Sequence, residues 1–350
     1  MKSAGWFSAQ ILAGATLALL ALGSASPASA QDRYAAIVMD ARSGEVLLVD
    51  QADATRYPAS LTKMMTLYMV CDALERGDLA PNTRLTASRN ASRQPPSRLG
   101  MRRGDSITVD QAIRALVVQS ANDVATMVAE RLGGSEARFA ANMTARARAL
   151  GMRETRFVNA SGLPDTRIHT TARDMATLAQ ALWRDYPQYY HYFQTPSFAW
   201  RRGSGRNHNR LLGQVDGVDG IKTGYTRASG FNLATMAERN GRRVIVVVLG
   251  GETASARDAQ VAYLLDGAYE EFARRADPTA ARLASLPTRR LDVQLAPGAT
   301  PAAPAPARPL PPSSPYDIYH GMVVDTMSPA HGAAQDGQGD DGENSTEERD

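Results

Sequence analysis

Ser60 and Lys63 stand three residues apart in the segment PASLTKMM. Lysine is rare in this chain, since only three of its 39 Lys and Arg residues are lysine and one of the three is Lys2. A serine hydroxyl becomes a good nucleophile only when a base removes its proton, and an arginine guanidinium stays protonated in proteins. A lysine amine can lose its proton when it is buried or placed beside another cation. The pair therefore predicts a serine nucleophile with a lysine general base.

The segment around Ser60 also predicts the element that would position the pair. A helical pattern runs through residues 60–74, and residues three apart lie on the same face of a helix. Pro58 would place Ser60 at the helix N-terminus, where free N–H groups and the helix dipole favour a developing oxyanion. The spacing alone is weak evidence for catalysis, because Ser60 could be only a helix cap and Lys63 a surface residue.

A second segment, SAN at residues 120–122, lies between two predicted helices. From a loop at this place the Ser120 hydroxyl and the Asn122 amide could point into a cleft. Helix capping is the simpler interpretation of this segment taken alone, because Ser120 and Asp123 have the spacing of a cap.

A third segment, KTG at residues 222–224, falls in a predicted strand. The side chains of Lys222 and Thr223 could hold a carboxylate, and Gly224 would let an extended peptide lie close against the strand. Apart from Lys2, both lysines of the chain fall in these short motifs. This coincidence is the strongest single indication of a catalytic site.

Together, SLTK, SAN and KTG resemble the motifs of the serine D-alanyl-D-alanine carboxypeptidases, the low-molecular-mass penicillin-binding proteins. The likeness runs from about residue 34 to residue 273 and includes MDARSGEVL, LGMRETRFVNASGLPD, TTARDMA and VDGIKTGYT. The resemblance implies acyl transfer from the penultimate D-Ala of a peptidoglycan stem peptide to Ser60, loss of the terminal D-Ala, and hydrolysis. β-Lactams would mimic the peptide and trap the acyl-enzyme.

The resemblance also implies a role for each motif residue. These are Ser60 as nucleophile, Lys63 as base, Ser120 as proton relay, Asn122 as substrate-orienting amide, Lys222, Thr223 and Gly224 at the substrate carboxylate and backbone, Tyr225 with Ser60 as backbone oxyanion hole, and Arg257 as a second carboxylate contact. The implied reaction needs no cofactor or metal, and the five histidines show no metal-ligand spacing. The absence of a G-x-S-x-G elbow argues against a histidine-based triad.

The order of the elements predicts an α+β fold, and the resemblance specifies the β-lactamase/transpeptidase-like form: an antiparallel sheet flanked by helices plus a mostly helical lobe. A hairpin is expected to turn at residues 42–44 and to pair with the last strands. Besides residues 60–74, helices are predicted at residues 108–118, 123–132, 137–150, 171–183 and 256–275, and strands at 217–226, 230–239 and 242–251.

Three regions are expected along the chain. Residues 1–30 have the pattern of a signal peptide, with Lys2, an apolar run and a small-residue cleavage site, so export to the periplasm or cell envelope is predicted. The catalytic domain is expected at 31–285, and a Pro/Ala-rich linker with an acidic disordered tail at 286–350. Acidic residues would be repelled by an anionic bilayer, which argues against the membrane anchor of many relatives. Cys71 has no partner for an intramolecular disulfide and is expected in the core.

Residues 31–330 carry 37 basic and 29 acidic side chains, a net charge of +8. Six of the arginines fall within residues 84–103. A solvated polar face is the simpler interpretation, and attraction to an anionic cell-wall polymer is the functional one. Export argues against nucleic acid as a partner.

Other functions remain open at this stage. A β-lactamase would need a glutamate that positions the deacylating water, and no E-x-x-L-N sequence lies between SAN and KTG. A DD-endopeptidase is possible because the motifs indicate the bond type and not which amine leaves. A non-catalytic wall-binding module could use the arginines, but it would have no need to keep Lys63 and Lys222.

Overall fold

The computed structural model describes residues 33–201 and 203–276. The predicted signal peptide, the linker and the acidic tail lie outside these ranges. Within them, no helix has both the length and the apolar character needed to cross a bilayer.

A five-stranded antiparallel sheet forms the centre of the fold, with the strand order β2-β1-β9-β8-β7. Its strands are β1 (Ala35–Asp40), β2 (Val46–Asp50), β7 (Val218–Thr226), β8 (Gly230–Arg239) and β9 (Arg242–Gly251). Ile37 of β1 lies opposite Val247 of β9, so the first hairpin pairs with the last strands, as predicted. β7, which carries KTG, is an edge strand.

Both faces of the sheet are covered, which explains the uninterrupted apolar sequence VIVVVL in β9. Val38 and Val246 belong to one buried cluster together with residues of the last helix, α7 (Ala254–Ala276). Ile37 and Val247, which point the other way, belong to the larger cluster formed with the helical lobe. The sheet is therefore sandwiched between α7 and the remaining helices.

The helical lobe follows β2 in the chain. Its helices are α1 (Thr62–Glu75), α2 (Val109–Val118), α3 (Asn122–Gly133), α4 (Glu136–Ala149), α5 (Ala172–Asp185) and the short α6 (Pro187–Tyr190). The α+β prediction is confirmed, and the predicted helices end within two residues of the observed ones. Cys71 lies buried in α1, as expected, and burial raises the pKa of its thiol to about 12.

Two short hairpins were not predicted from the sequence. One joins β3 (Arg84–Thr86) to β4 (Ser106–Thr108), and the other joins β5 (Ser197–Trp200) to β6 (Gly203–Arg206). Strands of three or four residues are too short for an alternating pattern to stand out. The connection between β3 and β4, residues 87–105, lies beside the N-terminus of α3, where it contributes to the site described below.

The start of α2 has a capping box in which Thr108 Oγ1 accepts from Gln111 N at 3.2 Å and Gln111 Oε1 accepts from Thr108 N at 3.1 Å. Thr108→Ala removes the first of these bonds, so we expect the free energy of unfolding to fall by about 1 kcal/mol in urea denaturation followed by circular dichroism. The exposed Thr86→Ala is the control and should change it by less than about 0.5 kcal/mol. Equal losses in both variants would contradict the cap.

Candidate active site

Ser60 and Lys63 meet at the start of α1. A single 3-10 turn, Ala59–Leu61, carries Ser60 and continues directly into the helix. The Lys63 side chain is completely buried, and its Nζ lies 3.1 Å from Ser60 Oγ. The structure therefore brings the predicted nucleophile and base within hydrogen-bond distance.

Two carbonyl oxygens fix the orientation of the Lys63 amine. Nζ donates to Asn122 Oδ1 at 2.8 Å and to the backbone oxygen of Ser161 at 2.6 Å. A neutral amine has two hydrogens and one lone pair. When both hydrogens are bound by these oxygens, the lone pair points towards Ser60 Oγ, as a general base requires.

The surroundings of Lys63 favour its neutral form. Burial is the main reason that its pKa lies well below the ordinary lysine value, and the nearby charge of Lys222 lowers the pKa further. The carboxylate of Asp123 acts in the opposite direction but does not outweigh these effects.

Lys222 and Arg257 add two more buried basic groups. Lys222 is 1% exposed and its Nζ donates to the backbone oxygen of Thr223 at 3.0 Å. Burial, followed by the charge of Arg257, lowers the pKa of Lys222 to about 7. Arg257 extends from α7, donates from Nη1 to Asn232 O at 2.9 Å, and forms an ion pair with Asp258 at 2.7 Å. These cations favour an anionic ligand group beside β7.

Gly224 lets β7 approach the turn that carries Ser60. A Cβ added to Gly224 would lie 3.0 Å from Ser60 N and 3.1 Å from Leu61 N, closer than side chains normally pack. The backbone that follows, at Tyr225, therefore lies beside the N-terminus of α1, where the predicted oxyanion donors belong. The Tyr225 ring is 56% exposed and packs on Phe231 with 4.3 Å between ring centroids.

The link between α2 and α3 carries Ser120 and Asn122. Ser120 has a φ of +56°, in the left-handed region that is rare for residues other than glycine. Its Oγ is buried and has no hydrogen-bond partner among the described residues. The N-cap of α3 is Ala121, without a side-chain bond, so the capping interpretation of Ser120 is wrong. Besides contacting Lys63, Asn122 donates from Nδ2 to Pro95 O at 2.9 Å.

A cavity of about 620 Å³ lies between these elements. Predicted site residues that line it are Ser60, Ser120, Asn122, Thr223, Gly224, Tyr225 and Arg257. Lys63 and Lys222 are buried close to this lining, so all nine predicted residues gather at one place. No group of three His, Cys, Asp or Glu side chains that could hold a metal ion occurs in the described ranges.

The loop that supplies the Ser161 carbonyl was not assigned a role from the sequence. Asn159 shapes it, because Oδ1 accepts from Gly162 N at 2.7 Å and Nδ2 donates to Leu163 O at 3.0 Å. Gly162 has a φ of +79°, and a Cβ there would overlap the backbone oxygen of Ala59. The asparagine and glycine of NASGL were the available signal for a tight turn.

Asn232 in β8 is a second residue that the sequence did not single out. Its Nδ2 donates to Tyr57 O at 2.9 Å and to Pro58 O at 3.1 Å, which ties the chain before Ser60 to the sheet. Its Oδ1 accepts from Gly250 N at 2.9 Å. A polar residue inside the buried strand pattern GFNLATM was the available signal.

The fold and the site define a serine acyl-transfer enzyme of the penicillin-binding class, with Ser60 at a helix N-terminus beside an edge strand. The D-alanyl-D-alanine carboxypeptidase family model matches residues 23–253. The chain belongs to this family of serine peptidases.

Named relatives agree with this assignment. The chain is 33% identical over 264 residues to the D-alanyl-D-alanine carboxypeptidase DacD of Salmonella typhimurium, covering 73% of this chain and 68% of the relative. DacA of Escherichia coli K12 is 35% identical over 69% of this chain and 62% of its own length. The structure of penicillin-binding protein D2 from Listeria monocytogenes in the ampicillin-bound form has a TM-score of 0.61 and 32% identity, covering 66% of this chain and 95% of that one.

The low pKa of Lys222 predicts how stability depends on pH. In the unfolded chain this lysine titrates near 10.4, so between about pH 7 and pH 10 the unfolded state binds more protons at this position than the folded state. The free energy of unfolding should therefore rise with pH in this window, by up to about 1.4 kcal/mol per pH unit. Lys222→Met should show a flatter rise in urea denaturation across the window. Parallel curves for the two proteins would contradict the shifted pKa.

Proposed function

We propose that this protein is a serine D-Ala-D-Ala carboxypeptidase that removes the terminal D-Ala from peptidoglycan stem peptides. The observation that carries the proposal is the buried Lys63 amine, 3.1 Å from Ser60 Oγ and bound by two carbonyl oxygens. The names of the relatives also support this activity over a β-lactamase or an endopeptidase.

In the acylation step, Lys63 Nζ accepts the proton of Ser60 Oγ while Oγ attacks the carbonyl carbon of the penultimate D-Ala. The negative charge on the carbonyl oxygen is stabilised by the backbone N–H groups of Ser60 and Tyr225. The C–N bond then breaks, and the terminal D-Ala leaves with the proton on its nitrogen. Attack by water on the ester regenerates Ser60.

Ser120 is proposed as the relay for that proton. Its buried hydroxyl lines the cleft and has no partner among the residues described, so it is available to the leaving nitrogen of a bound substrate. The left-handed backbone at Ser120 costs free energy, which is typical of positions held in place by function.

Lys222, Thr223 and Arg257 are proposed to bind the substrate carboxylate. An anion beside Lys222 raises the pKa of its ammonium, so a lysine with a pKa of about 7 becomes fully charged when the substrate binds. Gly224 and Tyr225 lie on the edge strand β7, whose free side suits an extended peptide that adds as a further strand. Asn122 holds Lys63 and lies at the cleft wall, where it can also meet the substrate amide.

β-Lactams are proposed as inhibitors, because their ring amide would present the same carbonyl to Ser60 and their carboxylate the same anion to Lys222. The ampicillin-bound form of the Listeria relative supports this. We place the enzyme in the periplasm or cell envelope, on the basis of the predicted signal peptide and its substrate.

Replacing Lys63 with Arg keeps a long basic side chain at this position but removes the base, because a guanidinium stays protonated in proteins. We expect acylation of Ser60 by a fluorescent penicillin to slow by about 100-fold or more, because general-base catalysis typically contributes a factor of this size. Labelling rates are read from gels, and circular dichroism checks the fold. Arg138→Lys, an exposed conservative exchange, is the control. Labelling of a folded Lys63→Arg variant at a near-normal rate would refute the role of Lys63.

The choice of leaving group is tested on purified sacculi. Mass spectrometry before and after treatment should show pentapeptide stems shortened by one D-Ala, with cross-linked dimers retained. Cleaved dimers would instead identify an endopeptidase, and rapid multiple turnover of nitrocefin would identify a β-lactamase. The Ser60→Ala variant should produce none of these products.

A further inference from the structure

β3 and the connection that follows it carry an unusual concentration of charged side chains without an ion-pair partner. We call residues 84–103 the basic segment. All six of its arginine side chains are exposed, and none forms an ion pair with a carboxylate in the described ranges: Arg84, Arg89, Arg93, Arg98, Arg102 and Arg103. Many other arginines of the protein do form ion pairs, for example Arg173 with Asp53 at 2.6 Å.

Asp123 fixes this segment against the active site. The side chain is fully buried, and its carboxylate accepts from Leu99 N at 3.0 Å, Gly100 N at 2.9 Å and Met101 N at 3.0 Å. The neighbouring Asn122 N donates to Ser97 O at 2.7 Å. Arg98 is thus held at a defined place, one residue from the active-site wall at Ser97.

A second hollow of about 490 Å³, which we call the side groove, opens at this place. It is lined by Pro96, Ser97, Arg98, Gln119, Gly205, Arg206 and His208. Pro96, Ser97, Arg206 and His208 also line the active-site cleft, so the two hollows are continuous. No acidic side chain is among the described residues that line the side groove, which makes it a cationic extension of the cleft.

His208 lies on the border between the two hollows. Its pKa is lowered first by burial and then by the charges of Lys222, Lys63 and Arg257. At neutral pH the permanent charge of the groove therefore comes from Arg98 and Arg206. A guanidinium binds a carboxylate through two parallel hydrogen bonds, which suits it to peptide carboxylates.

We propose that the side groove binds a carboxylate-bearing peptide strand of the wall polymer, adjacent to the stem that is being cut. This rests on the proposed peptidoglycan substrate and extends it from one stem peptide to the polymer. A lipid surface fits less well, because none of the large hydrophobic side chains that the described chain exposes belongs to the basic segment. A groove that continues from the cleft suits a narrow chain rather than a flat bilayer.

The test compares Arg98→Glu with Arg103→Glu. Both arginines are exposed and lie in the basic segment, but only Arg98 lines the side groove. Release of D-Ala from a short soluble peptide should be unchanged in both variants. With intact sacculi, we expect Arg98→Glu to raise the sacculus concentration that gives half-maximal D-Ala release about five-fold or more, and to make this concentration less dependent on salt. Arg103→Glu should stay near the wild type. Equal effects of the two variants would indicate general attraction and overturn the groove.

A binding measurement separates this proposal from the catalytic one. The Ser60→Ala protein is sedimented with purified sacculi over a range of salt, with and without Arg98→Glu. Loss of binding on Arg98→Glu supports the groove even if no D-Ala release is found. Unchanged sacculus binding overturns it. The same sedimentation is carried out with vesicles of anionic phosphatidylglycerol, and a loss of binding confined to these vesicles overturns the groove and identifies a membrane contact instead.

Discussion

The burial of one amine governs this site. A charged ammonium is costly to bury, so the fold that encloses Lys63 also makes it a base that can be neutral. Its position depends on elements far apart in the chain, since α1 supplies Lys63 itself, α3 supplies Asn122, and the loop before α5 supplies the Ser161 carbonyl. Lys222, from β7, adds the charge that lowers the pKa of Lys63 further. An arginine at position 63 would meet the same enclosure without yielding a base.

The edge strand of the sheet helps to position these groups. Among the described residues β7 pairs with a strand on one side only, and Gly224 allows it to pack against the turn that carries Ser60. Asn232 on the neighbouring strand ties down the backbone just before Ser60 and also meets Arg257 through its carbonyl oxygen. Two adjacent strands therefore position the proposed nucleophile, the proposed oxyanion donors and the proposed carboxylate ligands. Sites built on regular elements are held more precisely than sites built on loops alone.

Much of the fold and of the site could be predicted from sequence, because those parts depend on side-chain identity and hydrophobic periodicity. The long apolar run of β9, the Thr108–Gln111 spacing of the capping box, and the three short motifs each have a local signature. The Ser161 carbonyl could not be found that way, since every residue has a backbone oxygen and only the fold selects one. The same holds for the side groove, which brings together Arg98 from the connection between β3 and β4 and Arg206 from β6, because these strands are too short to recognise from sequence.

The groups of the site come from distant parts of the chain, so a newly made chain must assemble before they meet. Ser60 and Lys63 are neighbours in sequence, but Asn122, Ser161 and Lys222 reach them only when the helical lobe and the last strands have assembled. In a partly assembled molecule Lys63 is solvated, carries its proton and has nothing to hold it towards the serine. Labelling by penicillin is therefore expected only after the helical lobe and the last strands of the sheet have assembled around Ser60.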